Sequence, residues 1–262
     1  MEWRENGAVL QPSIARTPTA GEYRMTRNIV ISQSMYFPWV GMLEQIKLAD
    51  VFVHYDDVQF SRGSFTNRVQ IKTENGIRWL TVPLKDLRLG QRIDEVLIDN
   101  RTDWQSRHRD ILRQAYKKAP FVKDMLELVD DVFAKDVASI ADIARNSMLA
   151  LAAYFNLDRP MFVSADALTI GGASSERVYD ITAHLKGTVY ITGHGARNYL
   201  DHDLFGQNGI SVRYMNYERT PYPQLHGEFT PYLTALDLVA NCGTSGANVV
   251  HSGTVDWREF TK

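Results

Sequence analysis

The chain has 262 residues, 44% of them hydrophobic and 23% charged, with a formal net charge of -2 and one cysteine. That composition suits a globular protein with a substantial core, and the charge balance excludes the clearly basic character of a nucleic-acid-binding domain. The single Cys242 excludes an intrachain disulfide and a cysteine-based zinc site, and it fits a reducing, cytoplasmic location.

In chain order, residues 1–25 read as a flexible extension without the apolar stretch of a signal peptide, and Met25 is an alternative start. No apolar run of membrane-spanning length follows. "NIVISQS" (28–34) is a β-branched strand, "VGMLEQIKLAD" (40–50) has helical apolar spacing, and "VFVHYDD" is a second strand. Strand, helix and strand make a βαβ unit, which predicts parallel pairing and a right-handed crossover. "NRVQIKT" and "RWLTVPL" flank an Asn-Gly pair, the signature of an antiparallel hairpin, and "EVLID" is a candidate further strand.

A helical block is predicted at about 102–156, with Thr102 or Asp103 capping its first helix and Pro120 breaking the chain before two more. "MFVSA", "TVYITG" and "ISVRYMNY" return to strand, the last ending the run. "SSERVYDITAHLKG" is a helix closed by Gly187, and "ARNYLDHDLFGQNG" is helical with breaks. The predicted fold class is α/β: a mostly parallel sheet from βαβ units in both halves, an antiparallel hairpin and a central helical block. Residues 26–262 are read as a single domain with the helical block inserted.

Ligands of open α/β sheets sit beyond the carboxyl ends of the strands, which directs attention to the loops there. "SQSMYFPWVG" offers Gln33, Tyr36 and Trp39, and "HYDDVQF" offers Asp56, Asp57 and Gln59. While strand pairing continues, adjacent aspartates point to opposite faces, so one at most meets a given pocket. Such a carboxylate serves as a general base, an ammonium anchor or a magnesium ligand, or else as a strand-end cap or salt-bridge partner. In "TGHGARNYL", Gly193, His194, Arg197, Asn198 and Tyr199 follow a strand, where backbone N–H groups and a guanidinium suit an anion; a plain tight turn is the alternative. In "FTNRVQIK", Arg68, Gln70 and Lys72 share one strand face and are candidates for contacts to a phosphate or carboxylate, with Asn67 on the other face a candidate substrate contact, against the alternative of a solvated sheet face. The histidines lack zinc-pair spacing, so no metal site is assigned, and no Gly-x-Ser-x-Gly elbow occurs.

"QSMYFPWVG", "YDDVQF", "NRVQIK", "WLTVPL", "DWQSRH", "YKKAPF", "YITGHGARNYL", "NYERTPYPQLHGEF" and "LDLVANCG" occur in that order across residues 28–245, and together they resemble the WbqC-like family. His194 stands where the family carries Pro or Gly, and Val69 where it carries Asn, which weakens any catalytic role carried over to His194. The resemblance implies a place in polysaccharide, O-antigen or natural-product biosynthesis. It implies transfer of an acyl or aminoacyl group to an amino sugar or other amine, with a nucleotide sugar or an acyl-carrier protein among the partners. No cofactor follows from it.

Three functional readings are carried forward. The first is an acyl or aminoacyl transferase with Asp57 or Asp56 as base. The second is a nucleotide-binding ligase or nucleotidyltransferase-like enzyme, suggested by the βαβ cadence and opposed by the missing His-x-Gly-His motif. The third is a non-catalytic scaffold of the same pathway.

Overall fold

A computed structural model describes residues 26–157 and 159–262, so the extension expected at 1–25 lies outside the described residues. The elements are β1 (Asn28–Ser32), α1 (Val40–Leu48), β2 (Val51–His54), β3 (Arg68–Thr73), β4 (Gly76–Thr81), β5 (Leu84–Lys85) and β6 (Leu97–Ile98). The helical block follows as α2 (Trp104–Ala115), α3 (Val122–Phe133) and α4 (Ile140–Tyr154). Then come β7 (Met161–Ser164), α5 (Ser174–His184), β8 (Val189–Thr192), α6 (His202–Gln207), β9 (Ser211–Asn216), α7 (Ala235–Cys242), β10 (Gly253–Asp256) and α8 (Trp257–Phe260).

The main sheet has the order β10-β9-β8-β1-β2-β7, with every pairing parallel except β10 on β9. The α/β class and the parallel βαβ pairing predicted from the sequence are therefore correct. The chain leaves β1 toward β2 and β7, then returns to the other side of β1 to add β8 and β9. The direction of winding reverses between β1 and β8, and a doubly wound sheet opens a crevice at such a point.

Period-2 alternation sorts the strand side chains onto two faces. Val30, Phe52, Ile191 and Met215 join a large cluster with α1, α7 and the helical block. Their neighbours Ile29, Ile31, Val51, Val53, Tyr190 and Val212 join a second cluster with Val178 and Ile181 of α5 and Phe205 of α6. Helices thus cover both faces, which is why these strands read as continuous apolar runs. Each fully buried Ile, Val or Phe contributes about 1.5–3 kcal/mol.

Local signals act as expected in several places. Gly76 closes the β3–β4 hairpin at φ 94°, a conformation that favours glycine. Asp103, and not Thr102, caps α2 by accepting from Ser106 N at 3.1 Å. The strand run does not end at β9, however: β10 pairs along its outer edge with only four residues, and a segment with one apolar side chain carries too little pattern to be read. The "EVLID" strand shrinks to Leu97–Ile98 paired with Leu84–Lys85.

Candidate functional site

Beyond the carboxyl ends of β1, β2 and β8, their loops and the start of α5 surround a cleft of about 920 Å³. It lies at the switch point between β1 and β8. Ser32 and Gln33 come from the end of β1 and the loop after it, Asp57 and Gln59 from the loop after β2, Thr192 and Gly193 from the end of β8 and the loop after it, and Ser174 and Arg177 from α5.

β2 stops at His54, so the two aspartates belong to the loop after it and diverge. Asp56 is fully buried. Its carboxylate accepts from Ser34 N at 2.8 Å, Ser34 Oγ at 2.7 Å and Arg145 Nε at 2.6 Å. Because the Ser34 hydroxyl donates to Asp56, it accepts from His54 Nδ1–H at 2.8 Å, which fixes the His54 tautomer. Burial first, and the Arg145 charge second, hold the His54 pKa down to about 4, so the ring is neutral near pH 7. Burial also pushes the Asp56 carboxyl up, against the lowering effect of Ser34 and Arg145. The network ties the β1 loop, β2 and α4 together behind the cleft.

Asp57 faces the cleft instead. Its Oδ2 accepts from Arg177, and both side chains are more than nine-tenths buried. Oδ1 is buried and has no hydrogen-bond partner among the described residues. The Arg177 guanidinium also donates to Ile170 O at 2.9 Å and lies 4.9 Å from the Tyr55 ring centroid. An acceptor left without a donor in a buried setting costs about 1–3 kcal/mol, a cost that a ligand N–H or O–H would remove.

An aromatic wall also lines the cleft. The Trp39 ring packs 4.9 Å from Tyr217 and 5.5 Å from Tyr232, centroid to centroid. Gln45 Nε2 donates to the Tyr217 hydroxyl at 2.7 Å, and burial pushes the Tyr217 pKa up, so it stays a neutral phenol. Trp39 also precedes α1 and folds back over it. A Cβ on Gly41 would lie 2.2 Å from the indole, so only glycine lets the ring lie there. A rigid aromatic face beside buried polar groups suits a sugar or another ring with polar substituents.

Of the residues singled out from the sequence, Gln33, Trp39, Asp57, Gln59, Gly193 and Tyr199 line the cleft. The others lie elsewhere. Tyr36 is a buried core residue bonded to His108 Nδ1 at 3.1 Å, because the loop turns its ring inward. Asn67 donates to Val82 O at 3.0 Å, and Arg68 donates to Gly63 O while stacking over Trp79 at 4.2 Å. Lys72 holds the carbonyls of Gly227 and Glu228, and Asp56 serves the network behind. His194 Nε2 donates to Met215 O at 2.7 Å, and Arg197 turns to Thr261 O at 3.2 Å. Asn198 is exposed and outside the cleft lining. Arg177, Tyr55, Gln45, Tyr217 and Tyr232 complete the cleft without having been singled out. Arg177 lies in the first turns of α5, just past the loop that follows β7.

A doubly wound α/β protein with a cleft at its switch point is the class this geometry defines. The chain belongs to the WbqC-like protein family, whose model matches residues 33–249. It is similar to uncharacterized protein Rv1507c of Mycobacterium tuberculosis, at 30% identity over 220 residues, which are 83% of this chain and 94% of that protein. No solved structure matches. Among the described residues, no helix is long and apolar enough to cross a membrane.

Proposed function

We propose that the protein transfers an acyl or aminoacyl group to the amine of an amino sugar held in the switch-point cleft. The observation that carries this reading is Asp57, which lines the cleft with one oxygen on Arg177 and the other without a donor among the described residues. The amine gives Oδ1 the donor it lacks, and a small rotation of the carboxylate brings the two together. The sugar ring lies along Trp39, Tyr217 and Tyr232, with Gln33 and Gln59 in reach of its hydroxyls.

In the step proposed, the amine nitrogen attacks the carbonyl carbon of a carrier-linked thioester. The carbon–nitrogen bond forms and the carbon–sulfur bond breaks, with the electron pair leaving on sulfur. The proton shed by nitrogen passes to Asp57 and from there to the thiolate. A positioned base of this kind contributes about 10²- to 10⁴-fold. Mass spectrometry of a mixture of amino-sugar nucleotide and acyl-carrier thioester tests this: an amide product is expected, reduced by that factor in Asp57→Asn. Turnover unchanged in the variant would contradict the assignment.

A nucleotide-dependent ligase is the second reading, and the strand order favours it, since dinucleotide-binding sheets share the same reversal. Against it stands Trp39: its indole covers the start of α1, where a phosphate would meet the helix N–H groups. Stabilisation by ATP in a thermal shift experiment would support this second reading over the first.

A further inference from the structure

We propose that the surface beside the cleft, built on the β3–β4 hairpin and the loop before β6, docks an acidic protein partner. Residues 61–92 contain seven Lys and Arg against two Asp and Glu, in a chain whose net charge is -2. Lys72 is buried and Arg92 is paired with Asp94, but Arg62, Arg78, Lys85 and Arg88 are exposed, and Arg107 of α2 joins Arg78 beside His108. None of these five has a carboxylate partner among the described residues.

Apolar groups stand among these cations. Leu89 is 93% exposed, Ile77 52% and Trp79 37%. The outer edge of β4 has no ladder partner among the described residues, because β3 and β4 form a sheet of two strands. Trp79 packs 5.6 Å from Phe65, which lines the cleft, and Phe60 N donates to Gln91 O at 2.8 Å beside Gln59. The surface therefore continues to the cleft rim.

Its chemistry points to a protein. Arginine and tryptophan beside exposed aliphatic groups match the centre of protein interfaces. A net charge of -2 gives the chain no overall attraction for a nucleic acid or an anionic membrane, so recognition rests on the local patch and the apolar groups within it. An acidic partner of similar size meets only the basic patch. That the partner carries the group to be transferred rests on the function proposed above; the docking itself does not.

The test measures binding of an acetyl-loaded acyl-carrier protein to the full chain and to R62E/R88E, with duplex DNA and phosphatidylserine vesicles in parallel. Binding that weakens with salt and falls about tenfold or more in the double variant is expected. Absence of carrier binding, binding indifferent to charge reversal, or tighter binding to DNA or vesicles would overturn the proposal. Carrier binding without amide formation leaves the docking standing and removes the transfer reading. An amino sugar that binds while the carrier does not removes the docking alone.

Discussion

Arg145 of α4 donates its Nε–H to Asp56 Oδ2 at 2.6 Å, joining the helical block to the end of β2 across 89 residues of sequence. Asp56 is fully buried and the Arg145 side chain only 21% exposed, so each charge depends on the other. Removing one member of a buried pair costs about 3–5 kcal/mol. Arg145→Met is expected to lower unfolding free energy by that amount in urea titration. A loss below about 1 kcal/mol, the size of an exposed pair, would show that Asp56 is held by Ser34 alone.

Three buried groups give stability opposite dependences on pH. His54 and His108 are each held at about 4, chiefly by burial, from an ordinary 6.5. Their contribution is present above pH 6.5 and is lost as pH falls through 4. Asp237, buried beside the Tyr116 and Tyr222 phenols, is pushed up to about 6 by burial. Its contribution is full below the ordinary carboxylate range and is lost as pH rises through 6. Asp237→Asn is therefore expected to gain on the order of 3 kcal/mol over the natural chain at pH 8 and nothing at pH 4. Urea midpoints at the two pH values check this, and a pH-independent difference would contradict it.

Gly41→Ala places a methyl group where the Trp39 indole lies, 2.2 Å from its nearest atom. The ring must leave its contacts with Tyr217 and Tyr232. A shift in tryptophan fluorescence and loss of amino-sugar binding are expected, with the helix itself retained because alanine favours it. Unchanged fluorescence and binding would show that the wall is not held by this packing.

Sequence made the sheet legible because its strands are apolar on both faces and its hairpin carries Asn75-Gly76. The switch point needed tertiary knowledge, since nothing local to β8 says that it adds beside β1 and not beside β7. The site was half legible for the same reason. Rules about strand ends found Gln33, Asp57 and Gly193, but the direction of each side chain depends on how far β2 extends. Stopping it at His54 sends Asp56 inward and Asp57 to the cleft. Tyr36 and Lys72 looked like ligand contacts because polar tips do not reveal where they find partners. Arg177 reaches Asp57 across 120 residues, a pairing that no spacing rule encodes.

The central claim is that Asp57 receives an amine in the switch-point cleft. Calorimetric titration with an amino sugar and with its hydroxyl analogue, on the natural chain and on Asp57→Asn, tests it most directly. A hydrogen bond to a charged group contributes about 1.5–3 kcal/mol, so the natural chain is expected to prefer the amine roughly ten- to hundredfold, and the variant to bind both alike. Equal affinity of the natural chain for the two sugars would contradict the account.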